Sequence, residues 1–137
     1  ILRFGSLYGN RSGRGNGIQD LINSGKKKGK LIYGGSKKAA RKYIHVKDAV
    51  KVCVEVIQKK YQNQYLTITG KRTVKIKNLI NILAKYLKIS KNKIRYLNIK
   101  NADHYDIKPT PFKPRIGKNL KINKEINFKK SLMDLIG

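Results

Sequence analysis

Arg41-Lys42-Tyr43-Ile44-His45-Val46-Lys47-Asp48 is the stretch that decides the fold. It alternates: Tyr43, His45 and Lys47 fall on one face of an extended segment, Ile44 and Val46 on the other. Asp48 stands where a helix N-cap belongs, ahead of Ala49-Val50-Lys51-Val52-Cys53-Val54-Glu55-Val56-Ile57. The reading is a strand that runs directly into a helix, with an arginine at the strand's start. A helix from Ala49 to about Lys60 carries Ala49, Val52, Cys53, Val56 and Ile57 on its core-facing side.

Upstream, Ile1 to Phe4 reads as a short buried strand ending at Gly5-Ser6, and Gly9 to Gly15 as a polar, glycine-rich loop. The Gly-Arg-Gly in that loop lacks the spacing and the lysine of a phosphate loop. Asn16 caps a short helix, with Gln19 placed to close a capping box. Ile18, Leu21 and Ile22 form its apolar stripe, Gly25 stops it, and Lys26-Lys27-Lys28 makes an exposed turn. Lys30 to Tyr33 is a strand closed by Gly34-Gly35.

Downstream, Gln64 to Thr69 is a strand ended by Gly70. Ile76, Leu79, Ile80, Leu83 and Leu87 give the cleanest helical period, over about Val74 to Lys88, with Lys75 a poor cap. Lys93 to Asn98 is a strand with Ile94 and Tyr96 on one face. Asn101 to Pro114 is irregular and holds all 3 prolines. A last helix from about Asn127 to Ile136 buries Phe128, Leu132, Leu135 and Ile136. Strands alternating with helices make the class α/β.

The chain's 137 residues suffice for one domain with a modest core. Its formal charge of +26 is mostly lysine set between apolar positions. Neutralising phosphates is how nucleic-acid binders gain affinity. Yet no RNA-binding aromatic signature, zinc-finger spacing or arginine-rich helix appears. The reading is a solvated surface that also attracts anionic ligands, with a basic nucleic-acid-binding module as the alternative. Cys53, the one cysteine, excludes an internal disulfide and a cysteine-based zinc site, suits a reducing cytoplasm, and reads as a small buried hydrophobe. No apolar run is long enough to span a bilayer, so no membrane partner is expected.

The unit Arg41-x-Tyr43-Ile44-His45-Val46-x-Asp48 resembles a signature of the extended short-chain dehydrogenase/reductases, the NAD-dependent epimerases and dehydratases that mostly act on nucleotide sugars. Leu2-Arg3-Phe4-Gly5-Ser6-Leu7-Tyr8-Gly9 looks like the same family's segment of the form Leu-Arg-x-x-(Asn/Ser)-x-Tyr-Gly. The resemblance covers nearly the whole chain and weakens after about Asn98. It implies that residues 1–137 are a C-terminal portion: the last strands of a Rossmann-type parallel sheet plus the small C-terminal substrate-binding lobe. The NAD-binding N-terminal half, which would hold most of the NAD or NADP, is then absent. The implied substrate is a nucleotide sugar, and the implied full-length assembly a homodimer.

By the same resemblance, Phe4, Gly5 and Ser6 lie against the nicotinamide amide, with Ser6 also near the substrate phosphates where many members carry asparagine. Asn16 and Gly17 match a helix start that contacts the diphosphate or base, and free N–H groups there attract anions. Leu31 and Tyr33 match the strand that packs on the nucleotide base. Arg41 matches the arginine that clamps the diphosphate, a task suited to a guanidinium fork. Each has a plainer reading: a turn serine, a helix cap, a core aromatic, a solvated strand-edge charge. His45 and Asp48 are read as structural, one hydrogen-bonded within the fold and one capping a helix.

The family's second phosphate arginine has no counterpart; Asn101 to Asp106 stands in its place, with His104, Tyr105 or Lys108 as substitutes unless the substrate is not the usual UDP- or dTDP-sugar. The family's catalytic Tyr-x-x-x-Lys is missing too. Tyr61 has no lysine four residues on, and Tyr33 meets Lys37 only across a Gly-Gly-Ser loop, whereas the pair must share a helix face. No catalytic or metal-binding residue is therefore expected in this segment, and the hydride and proton chemistry is expected upstream of Ile1. A non-catalytic relative on the same scaffold is the reading that follows if that tyrosine or lysine is missing.

Overall fold

A computed structural model describes residues 1–13, 15–97 and 117–137. The elements are β1 (Leu2–Phe4), β2 (Ser6–Tyr8), α1 (Gly17–Lys28), β3 (Leu31–Tyr33), β4 (Ala40–His45) and α2 (Val46–Glu55), then β5 (Leu66–Ile68), β6 (Thr73–Lys75), α3 (Ile76–Tyr86), β7 (Ile94–Tyr96), β8 (Lys118–Asn119) and α4 (Phe128–Ile136). Three small sheets result, ordered β1-β5-β8, β2-β4-β6 and β3-β7. Every pairing is parallel except β4 with β6. Parallel neighbours need crossover connections, and α1, α2 and α3 supply them.

Gly5 alone separates β1 from β2. Its N–H donates to the Ile68 carbonyl at 2.8 Å, and a Cβ there would lie 2.5 Å from the Lys42 carbonyl oxygen. Only a hydrogen fits where the chain passes from one sheet to the next.

Two cores flank β4. Its alternation sends Tyr43 towards Tyr8, Ile18, Leu21, Ile22, Leu31, the α3 stripe Ile76, Leu79, Ile80 and Leu83, and Leu132 of α4. Ile44 points the other way, into a second cluster with Ala49, Val52, Ile68 and Ile122, against which Phe4 packs. Each fully buried aliphatic side chain contributes about 1.5–3 kcal/mol, so both faces hold the strand in register.

Several expectations are corrected. β1 is largely exposed rather than buried, because among the described residues it has a partner on one edge only. α1 runs past Gly25 to Lys28 and stops at Gly29, which adopts the left-handed conformation at φ 59°. Gly25 stays helical because its bare backbone lets Leu87 and Ile89 approach, and Lys26, Lys27 and Lys28 sit in the last turn, where the helix dipole favours cations. Asn16 does cap α1, but Gln19 reaches forward to Asn23 instead of closing a capping box.

α2 starts at Val46 with His45 as its N-cap, so Asp48 lies inside the first turn. Cys53 and Ile57 are exposed, not core-facing. Lys75 caps α3 without a side-chain bond, as expected, and Ile76 N–H turns to the Ala39 carbonyl at 2.9 Å. Strands β2, β6 and β8 come in addition to the expected elements. The Asn101 to Pro114 segment, with Asn98 at the end of an expected strand, lies outside the described residues.

Candidate functional site

The site is built on β2 and β4. Their parallel register sets Ser6 beside Tyr43, Leu7 beside Ile44 and Tyr8 beside His45. Residues paired this way share a face, so Ser6, Tyr8, Arg41, Tyr43 and His45 line one side of the sheet.

Arg41 is only 7% exposed, and its Nη1 donates to the Ala40 carbonyl at 3.0 Å. It is thus not a solvated edge charge. A permanently charged guanidinium held this deep must satisfy its donors locally, in a fixed orientation. Half-buried Ser6 sits on the same face, across the pairing of β2 with β4. Asn16 brings α1 to that place: its Oδ1 accepts from Gln19 N–H at 3.2 Å while its Nδ2 donates to the Leu7 carbonyl at 2.9 Å. Gly17, the first residue of α1, faces open space on the side where a Cβ would project.

Leu31 and Tyr33 belong to β3–β7, joined to this region by α1, which packs on β3. Leu31 is fully buried in the first core, leaving only its backbone for any ligand. The Tyr33 ring packs edge-on to Tyr96 with centroids 6.5 Å apart and lies against Gly35, where a Cβ would come within 2.9 Å of it. Phe4 is turned into the second core. The structure therefore sets Asn16 and Gly17 beside β2, places Arg41 on β4 on the same sheet face as Ser6, and sets Leu31 and Tyr33 on a separate pair of strands.

Against the same sheet face packs a polar–aromatic cluster whose members the sequence did not bring together. Tyr8 and Ser131 hydroxyls meet at 2.6 Å, and Ser131 Oγ donates to the Phe128 carbonyl at 3.1 Å. The Tyr8 ring stands edge-on to His45 at 5.1 Å and to Phe128 at 5.2 Å, while Phe128 stacks on Tyr43 at 5.4 Å. Burial pushes the Tyr8 hydroxyl up from its ordinary value, against the pull of the Ser131 bond.

His45 Nδ1 accepts the Lys47 N–H at 3.1 Å, which leaves the proton of the neutral ring on Nε2. Burial lowers its pKa; Asp48 opposes that, and Lys47 and Lys51 add to it. Asp48 is fully buried: Oδ2 accepts the Ile126 N–H at 2.8 Å and Oδ1 meets Lys51 Nζ at 3.2 Å. His45 and Asp48 are both structural, with Asp48 anchoring a distant segment instead of capping the helix. Partners 123 and 78 residues away gave Tyr8 and Asp48 no local signal; the buried side of each element was the available hint.

No group of three or more His, Cys, Asp or Glu able to hold a metal occurs among the described residues. Tyr33 is in a strand and Lys37 in the turn that follows, so they share no helix. No described helix is long and apolar enough to cross a membrane.

Parallel strands joined by crossover helices, with β4 running straight into α2, define part of a Rossmann-type α/β fold. The chain belongs to the GDP-mannose 4,6 dehydratase family, whose model matches residues 10–133, the Arg41–Asp48 unit included. That places it among the extended short-chain dehydrogenase/reductases to which its motifs point. No curated protein matches the sequence.

Among solved structures, dTDP-glucose 4,6-dehydratase from Bacillus anthracis in complex with NAD aligns with a TM-score of 0.78 at 16% identity, over 99% of this chain and 42% of that one. UDP-glucuronic acid 4-epimerase from Bacillus cereus, in complex with UDP-glucuronic acid and NAD, aligns at 0.74 and 18% identity, over 99% and 44%. A dTDP-glucose 4,6-dehydratase from Streptomyces venezuelae, with NAD and TYD bound, aligns at 0.78 and 15%, over 99% and 42%. At these identities the likeness is one of fold. The chain spans less than half the length of these structures.

Proposed function

We propose that this chain is the substrate-binding portion of an NAD-dependent epimerase or dehydratase acting on a nucleotide sugar. The hydride and proton chemistry belongs to an N-terminal half that carries the Tyr-x-x-x-Lys pair. The family match supports the reading, and the observation that carries it is the buried guanidinium of Arg41 on the same sheet face as Ser6. A guanidinium fork engages paired phosphate oxygens, and low local dielectric strengthens that bond. Ser6 donates to a further phosphate oxygen, and the N–H groups at the start of α1 add a positive end nearby. Tyr33 packs on the nucleotide base.

NAD, when bound, supplies the hydride acceptor and donor. The residues present offer it little: half-buried Phe4 packs against the second core, and the space at Gly5 is taken by the Lys42 carbonyl. Ser6 and the backbone around it are what this chain contributes, which fits a cofactor held mainly by the other half.

The test is a calorimetric titration of the full-length polypeptide with UDP-glucose and dTDP-glucose. Arg41→Ala is expected to weaken binding by about 2 kcal/mol, roughly 30-fold, because a charge-assisted bond is lost. Arg41→Lys, which keeps the charge and loses the fork, falls in between. Lys27→Ala leaves binding unchanged. Equal losses for Arg41→Ala and Lys27→Ala, in variants with unaltered melting, would remove the clamp from the account.

A further inference from the structure

The segment that ends in α4 grips both faces of β4. Ile122, ahead of the helix, packs with Ile44 in the second core, and Leu132 of α4 is fully buried in the first. Between them Asp48 holds the Ile126 N–H at 2.8 Å, so the segment turns around the sheet at a fixed point. It then lays the first turn of α4 against the face that carries Ser6 and Arg41.

Each of those strands is met two residues beyond its proposed phosphate contact. On β2, Tyr8 follows Ser6 on the same face, and its hydroxyl meets that of Ser131. On β4, Tyr43 follows Arg41, and its ring stacks on Phe128 with the planes 22° apart. The two contacts form one unit, because Ser131 Oγ donates to the Phe128 carbonyl. A hydroxyl has a single proton, so Tyr8 is the donor in the 2.6 Å bond, and the relay runs from Tyr8 through Ser131 to Phe128.

The relay lies in a core whose other buried members are all Ile, Leu and Ala. A buried hydroxyl bond adds little net stability there, since bonds to water are given up for it. What a fully satisfied polar pair adds is direction: one rotamer, and one distance between the elements that carry it.

We propose that Ser131 is a positioning residue for phosphate binding: through Tyr8 and Phe128 it locks α4 across β2 and β4 and so sets the spacing of Ser6 from Arg41. The inference rests on the functional reading above. A diphosphate shared by Arg41 and Ser6 needs both at set distances, and misplacement by about 1 Å in a preorganised site can cost about 100-fold.

The test is a double-variant cycle on the full-length polypeptide, read by calorimetric titration with UDP-glucose and dTDP-glucose. Ser131→Ala and Tyr8→Phe break the same bond from opposite ends. Each is expected to weaken binding about tenfold with circular dichroism unchanged. Added to Arg41→Ala, Ser131→Ala is expected to cause almost no further loss, because the spacing matters only while the guanidinium is there to use it. Leu132→Ala, which opens a cavity in the same core without touching either hydroxyl, is expected to lower the melting temperature more than Ser131→Ala and to leave binding unchanged. Losses that multiply in the double variant, or a loss in Leu132→Ala equal to that in Ser131→Ala, would reduce the bond to general stability and overturn the proposal. If Arg41→Ala weakens binding while Ser131→Ala and Tyr8→Phe bind as the unaltered protein does, the proposal is wrong and the functional reading stands. An unaltered protein that binds neither nucleotide sugar overturns both.

Discussion

His45 holds the start of α2 through a ring nitrogen that works only when neutral. Protonation of Nδ1 would remove the acceptor for Lys47 N–H and place a cation in a buried spot. Burial depresses its pKa below the ordinary 6.5, so its contribution to stability is whole above 6.5 and is lost as pH falls through the depressed folded value. Tyr8 runs the other way. Burial raises it above the ordinary 10.0, so its contribution is whole below 10.0 and is lost as pH rises through the raised folded value. Tyr96, raised by burial, adds to that alkaline limb. Melting temperature is expected to be flat between these limits. His45→Asn, which caps without titrating, should flatten the limb that sets in as pH falls below 6.5, and Tyr8→Phe should shallow the alkaline one. An unchanged acid limb in His45→Asn would show that other groups set it. At this scale the sequence read His45 as bonded within the fold and misplaced the helix cap at Asp48. Asp48, a preferred capping residue directly ahead of the apolar run, was read as the cap in place of His45, and its true partner 78 residues away left no local trace.

Glycines separate the elements whose limits were legible from those that were not. Gly25 and Gly70 look alike in a sequence, each following an apolar run, and they do opposite things. A Cβ at Gly25 would lie 2.5 Å from Leu87 Cδ1, the far end of a flexible side chain. Alanine there gains about 1 kcal/mol of helix propensity, which offsets most of the crowding. A Cβ at Gly70 would collide with the backbone carbonyl of Tyr43 and sit 2.8 Å from Glu125 Oε1, the acceptor of Lys71 N–H. The Tyr43 carbonyl is backbone and cannot swing aside, so the end of β5 must part from β4. Urea unfolding is expected to show Gly70→Ala losing on the order of 3 kcal/mol and Gly25→Ala changing by less than about 1 kcal/mol. Comparable losses in the two would mean that β5 and β4 do not pack this closely. The strong helical period of α3 was readable because four buried residues repeat it, whereas Thr73 to Lys75 vanished beside it: three residues carry no period of their own, and only pairing with β4 makes them a strand.

For the whole molecule, class and direction were legible because they follow from alternation and from strand–helix order, while the separation of the β1-β5-β8 sheet from the β2-β4-β6 sheet depends on one glycine crossing that composition does not reveal. Charge was legible in amount and acts on the molecule as a body. With 33 basic residues against 7 acidic ones, the folded chain repels itself more strongly than the expanded one. Screening length falls from about 30 Å at 0.01 M salt to about 3 Å at 1 M, so added salt should remove much of that repulsion. At about 3 °C per kcal/mol for a domain of this size, a relief of about 2 kcal/mol raises the melting temperature by about 6 °C. Screening saturates and follows ionic strength whatever the anion; exclusion of salt from apolar surface keeps growing and is stronger for sulfate than for chloride. The expected curve climbs steeply to about 0.3 M sodium chloride and then levels, with sodium sulfate at equal ionic strength tracing the same early rise. A DNA or RNA oligonucleotide should mimic that rise in dilute buffer and lose its effect near 0.15 M salt, because non-specific phosphate binding is counterion release. An oligonucleotide that still stabilised the chain at 0.15 M salt would move these lysines from a solvated surface to a binding face.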